Sequence, residues 1–200
     1  MASLLKTDGI TGSVGTTASI SIDGNIVTFD PTKVKFPAGH VIDVQQTFLS
    51  SAFTVSVGSG LSVHDITNLE VTITPKFQSS KFYLHSRGFF EHSNVNNYDS
   101  GFIFFRNGTE VGSGDQSGLR NSVNTLVAQG YWNSDAASTP DTWVMDYLDT
   151  PNTILPITYK VACRSNVSGT MYINSNVDTA NSASRERGTT SLTVWEISGG

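Results

Sequence analysis

No stretch of twelve consecutive residues in this chain combines helical apolar spacing with freedom from Gly, Pro and Ser/Thr clusters. That single absence removes most fold classes, because a helix needs apolar positions three and four apart over several turns. Period-two runs take its place. Glu70-Val-Thr-Ile-Thr74 puts Val71 and Ile73 on one side and Thr72 and Thr74 on the other. Thr158-Tyr-Lys-Val-Ala-Cys-Arg164 aligns Tyr159, Val161 and Cys163 against Lys160 and Arg164. Ser191-Leu-Thr-Val-Trp-Glu-Ile197 aligns Leu192 and Val194 against Thr193, Trp195 and Ile197. β-Branched and aromatic residues suit such pleated surfaces. Further strands are expected at 20–22, 26–29, 41–49, 53–57, 81–90, 101–106, 126–132, 143–148 and 169–174.

Turn chemistry separates these runs. Asn107-Gly108 between two strand-like segments is the strongest hairpin signal. Ile22-Asp-Gly-Asn25 and Asp149-Thr-Pro151 read as further turns, and Pro75 ends a strand because it cannot donate to a ladder. Without helical crossovers, neighbouring strands must pair antiparallel. The expected fold is therefore all-β: an antiparallel, jelly-roll-like β-sandwich. The first residues differ. Leu5 to Thr17 is rich in Gly, Thr and Ser with no alternation. We expect an extended N-terminal arm over residues 1–37 that serves as an attachment segment, and a sandwich domain over 38–200. The arm is too small to bury a core of its own.

Composition narrows the function. Charged residues are 14% of the 200 and the formal net charge is -5, against roughly 25% charged in an average domain. Nothing here attracts nucleic acid or an anionic membrane, and no apolar run approaches the ~20 residues of a spanning helix. The N-terminus lacks the hydrophobic stretch of a signal peptide. One cysteine excludes an internal disulfide and a multi-cysteine zinc site; Cys163, on the apolar side of its strand, is expected to be a buried, inert thiol.

Four segments taken in order resemble a known family. They are Pro37-Ala-Gly-His-Val-Ile-Asp-Val-Gln-Gln46; Leu69-Glu-Val-Thr-Ile-Thr-Pro75 with Ser79-Ser-Lys81; the set Tyr147-Leu-Asp-Thr-Pro151, Thr158-Tyr-Lys-Val161 and Met171-Tyr-Ile-Asn174; and Ser191-Leu-Thr-Val-Trp-Glu-Ile197. Over about residues 37 to 198 the chain is similar to the β-sandwich domain of tailed-phage virion proteins, especially fibre-like and appendage proteins of marine phages. The resemblance implies a virion component that is homotrimeric and bound to other virion proteins. A capsid decoration or cement protein, and a carbohydrate-binding module or depolymerase, are the alternative expectations.

Catalytic chemistry finds little footing. There is no Gly-x-Ser-x-Gly elbow. Gly112-Ser-Gly-Asp-Gln-Ser-Gly118 has no lysine at phosphate-loop spacing. Asp141, Asp146 and Asp149 read as turn-capping residues rather than the paired acids of a glycosidase. His85 and His92 lie seven apart, too far for one strand's same-face metal pair, and with His40 and His64 they read as solvated loop or strand-end residues. We expect no enzyme activity, no cofactor and no metal. Binding is the better expectation. Long polar loops at 91–100, 112–124, 132–141 and 174–188 carry Asn, Ser and Asp beside aromatics. Tyr98, Asp115, Arg120, Tyr131 and Trp132 are the candidate receptor residues, because a flat ring can stack on a sugar while amides and carboxylates take its hydroxyls. Finally, 81–90 is bulky on both sides, with Phe82 and Leu84 on one and Tyr83 and Phe89 on the other. That suggests a second packing surface beyond the intramolecular core, supplied either by a covering loop or by a neighbouring subunit.

Overall fold

The structure, a computed structural model, describes residues 20–23, 26–29, 36–60, 62–94, 99–115, 117–118, 121–128 and 138–200, the first two segments by backbone only. The chain divides into two compact units, Met1–Phe36 and Pro37–Gly200. In the first, β1 (Ile20–Asp23) and β2 (Ile26–Phe29) pair antiparallel, Ile20 opposite Phe29 and Asp23 opposite Ile26.

The second unit is an antiparallel β-sandwich, and no helix occurs among the described residues. One sheet holds β3 (Val41–Leu49), β4 (Phe53–Val57), β6 (Lys81–His92), β10 (Asp141–Asp149), β12 (Gly169–Ile173) and β13 (Thr190–Ile197). The other holds β5 (Val63–Ile73), β7 (Ser100–Arg106), β8 (Thr109–Val111), β9 (Thr125–Val127) and β11 (Ile157–Ser165).

In the six-stranded sheet, β10 lines one edge of β6, and β13 and β12 lie end to end along the other. Ile173 faces Phe90 and Ser191 faces Arg87, so β12 and β13 behave as one ribbon interrupted by residues 174–189. The adjoining ribbon, β3 then β4, bends at residues 50–52 at the same level.

The core forms where alternate residues of the two sheets meet. Trp143, Phe82, Phe90, Phe102, Phe104, Tyr159 and Leu84 are wholly buried. Trp143 stacks on Phe102 with centroids 4.2 Å apart, and Phe90 meets Phe102 edge-on at 5.0 Å. The indole N–H donates to Ser86 Oγ at 3.1 Å, and Ser86 Oγ donates to the Ser191 carbonyl at 3.0 Å; a buried indole needs such a partner. Gly88, paired with Trp143 across the strands, leaves the room: a Cβ there would sit 2.0 Å from the ring.

Several sequence expectations are met at residue level. β3 and β4 span 41–49 and 53–57, and Asn107-Gly108 turns β7 into β8 with both residues at positive φ (48° and 82°), the geometry of a primed hairpin turn. Three differ. β5 starts at Val63, seven residues before the run at Glu70, because a bulge around Asn68 (φ 62°) breaks the alternation: Ile66 and Leu69, three apart, both point to the core. β8 is three residues long, too short to show a period. The strand expected over 126–132 is present at 125–127, and its second half lies outside the described residues.

Candidate functional site

The most unusual surface of the sandwich is the outer face of the six-stranded sheet. Register aligns Leu148, Tyr83, Trp195 and Val44 in one row across β10, β6, β13 and β3. A second row holds Val144, Arg87, Ser191 and Phe48, and between them run Asp146, His85, Thr193 and Gln46. Val41, Val44, Phe48, Val144 and Leu148 are each between 48% and 59% exposed. Tyr83 and Trp195 pack ring on ring at 5.5 Å, and His85 lies edge-on to Trp195 at 6.3 Å. Gln46 Nε2 donates to Thr193 Oγ1 at 2.7 Å. These are the outward side chains of the two-sided strand over 81–90: Phe89 packs under Gly188, while Tyr83 and His85 stay partly exposed.

Above one end of that face stands the 174–189 loop, rooted by buried polar groups. Asn174 is wholly buried at φ 60°. Its Nδ2 donates to the Leu49 and Ser51 carbonyls at 2.9 and 3.1 Å, bridging the bend between β3 and β4, and its Oδ1 accepts from Thr190 Oγ1 at 2.8 Å. One side chain thus ties together the two points where the ribbon is interrupted. Glu91, also wholly buried, accepts from the backbone N–H of Thr139 at 2.8 Å and of Val177 at 2.7 Å. Asn176 accepts from Glu186 N–H and donates to Glu186 Oε2. Further out, Arg185 donates from Nε and Nη2 to Asp178 Oδ2 at 3.0 and 2.7 Å, and with Asn181 and Arg187 they rim a polar cavity of about 300 Å³.

Of the candidate receptor residues, Asp115 is exposed in the segment after β8; Tyr98, Arg120, Tyr131 and Trp132 lie outside the described residues. Other residues take roles the sequence did not suggest. Asp149 is not a turn cap. It is buried, accepting from Arg106 Nη1 at 2.7 and 2.9 Å and from the Tyr159 hydroxyl at 2.7 Å, a link from β10 to β7 and β11 in the opposite sheet. Burial and the Asp149 carboxylate keep the Tyr159 phenol protonated far above its ordinary range. Asp146, three residues earlier, points to the opposite side, so the two acids do not converge.

His40 is exposed and His64 and His85 are partly exposed, as the solvated reading has it; His92 departs from it. His92 is wholly buried: Nδ1 accepts from Asn94 N–H at 2.9 Å and Nε2 lies 3.1 Å from Ser165 Oγ. Desolvation holds its pKa below the ordinary value, against backbone hydrogen bonds that raise it. His85 and His92 fall on opposite sides of β6. Among the described residues no three His, Cys, Asp or Glu side chains converge to hold a metal ion. Cys163 is buried as its strand position implies, its thiol pushed up to about 12 by desolvation. At the β8 end, Arg164 Nη2 donates to Glu110 Oε2 at 2.9 Å. Burial works to raise the Glu110 pKa, yet hydrogen bonds from Ser113 and Ser122 and the Arg164 charge bring it below the ordinary value.

No protein-family model matches the sequence, and no curated protein matches it. Among solved structures, the chain is similar to infectious bursal disease virus, Gx strain, with 13% identity and a TM-score of 0.38, over 90% of this chain and 41% of that one. T=1 particles derived from the same virus give 10% identity and a TM-score of 0.39, over 90% and 42%. The VP2 subviral particle gives 12% and 0.36, over 90% and 43%. The chain spans less than half the length of these solved chains.

Proposed function

We propose that the chain is a non-catalytic structural subunit of a virus particle, fibre- or appendage-like, that assembles with copies of itself, a homotrimer in the arrangement the sequence resemblance implies. Residues 1–37 are the segment that joins it to other virion proteins. Its loops, with Tyr98, Asp115, Arg120, Tyr131, Trp132 and the 174–189 segment, meet host-surface glycan through weak contacts that multivalency makes tight.

The observation that carries this reading is the open apolar face of the six-stranded sheet. A β-sandwich working alone presents alternation that is apolar inside and polar outside. This one leaves a four-strand apolar and aromatic surface uncovered, as expected of a building block whose neighbours finish it. The rooted 174–189 loop adds a second element of the reading, recognition carried on a rigid scaffold. The four-segment resemblance supports the particle context.

Reconstruction of the intact particle by electron cryo-microscopy tests the reading, with density for the sandwich expected in an appendage on the particle surface. A purified particle that lacks the chain overturns it, as does glycan cleavage by the purified chain. Removing residues 1–36 should leave a soluble, folded domain that no longer incorporates.

A further inference from the structure

The outer face of the six-stranded sheet gives the proposed self-assembly a definite surface. We infer that this face packs against a second copy of the chain, an assignment that rests on the structural-subunit reading above. Size is the first argument. Val41, Val44, Phe48, Val144 and Leu148 alone leave on the order of 500 Å² of apolar area open, at the upper end of the largest patch on a typical monomer. With Tyr83, Trp195 and the polar side chains between them, the face approaches the roughly 800 Å² per partner of a standard stable interface.

Distribution is the second argument. The apolar residues occupy both flanks, Val144 and Leu148 on β10 and Val44 and Phe48 on β3, with the Tyr83–Trp195 pair between them. A flank of one copy therefore finds an apolar flank on the next, whichever way the copies turn. Charge is the third. Lys81 and Arg87 share the face with Asp146, all exposed. A patch with both signs suits another patch of the same kind. It does not suit a polyanion, which needs a single sign over the whole footprint. The rings are also fixed against each other, so little side-chain entropy is lost on docking.

The test uses the full chain, followed by sedimentation equilibrium across a concentration series. The wild type should associate. Leu148→Arg and Val44→Arg should each weaken association about thirty-fold or more, as expected for an anchor replaced by a charge in a desolvated contact, with far-UV circular dichroism unchanged. Leu155→Arg is the control: Leu155 is exposed and apolar but lies in the loop between β10 and β11, and this change should leave association intact. As a second readout, Phe48→Cys and Val144→Cys, alone and mixed, should give disulfide-linked chains in at least one pairing on mild oxidation, since Cys163 is buried, and Ile154→Cys should not.

Association that survives both arginine variants overturns the assignment of this face while leaving the structural-subunit reading in place. Equal loss with Leu155→Arg also overturns it. A wild-type chain that stays monomeric overturns the assignment too, and the broader reading is then judged separately by incorporation into particles.

Discussion

The two sides of the six-stranded sheet are built from alternate residues of the same strands, yet they meet different fates. On the inner side Phe82, Leu84, Trp143, Leu192 and Val194 are wholly hidden from solvent. On the outer side Tyr83, Trp195, Val144, Leu148 and Val44 present comparable apolar bulk and stay partly or largely open. Hydrophobicity therefore does not distinguish core from surface here. What distinguishes them is the opposing sheet, which supplies Phe102, Phe104 and Tyr159 to one side only.

The sharpest way to break that contrast is to remove matched aromatics. Trp143→Ala should cost about 3–5 kcal/mol in urea denaturation, because it opens a cavity against Phe102 and removes the indole N–H that Ser86 Oγ accepts. Trp195→Ala in the isolated chain should cost about 1 kcal/mol or less. Equal costs would mean that the outer face is already covered.

The aspartates of β10 repeat the comparison with charge. Asp149→Asn should lower stability by about 3 kcal/mol, since it leaves Arg106 and the Tyr159 hydroxyl without their carboxylate. Asp146→Asn should change it by less than about 0.5 kcal/mol. Chemical denaturation of both variants reads the difference.

Asn174 sharpens the contrast between sheet and loop. Asn174→Ala loses three hydrogen bonds and places alanine at positive φ. The expected loss is about 2 kcal/mol, with limited proteolysis cutting first within 174–189. Cleavage elsewhere would show that the Glu91 and Glu186 contacts hold the loop without Asn174.

The smallest effect is acid sensitivity at His92. Its pKa is depressed by burial, so the unfolded chain takes up the proton first as pH falls through about 6.5. The stability associated with neutral His92 is fully present above that value and declines below it. Thermal midpoints from about pH 8 to about pH 5 should fall, and His92→Gln should flatten the fall. A wild-type midpoint that rises on acidification would contradict the buried neutral ring.

Much of the scaffold was legible from local chemistry. Period two fixed the fold class, Asn107-Gly108 its hairpin, and Pro75 the end of β5. The two-sided bulk of 81–90 was legible too, and its outward rings at Tyr83, His85 and Phe89 are partly exposed. The lateral extent of the outer face was not legible, because the order β10, β6, β13, β3 joins segments far apart in the chain. Nor were the buried polar residues. Asn174 bonds carbonyls 123 and 125 residues away, and Glu91 reaches 48 and 86 residues; no local pattern announces such partners. Asp149 looked like turn chemistry because Pro151 follows it, while its real partners sit in the opposite sheet. His92, at the end of β6, looked solvated because its partner Ser165 is likewise distant in the chain.

The interruption between β12 and β13 has a practical consequence. Residues on either side keep step along β6, so the pleated framework does not depend on how long the excursion is, provided Asn174 and Thr190 close its neck. Foreign peptide spliced between residues 179 and 183 should be carried outward without disturbing the strands beneath. Such a splice would turn the protein into a display carrier whose cargo can vary in length and sequence.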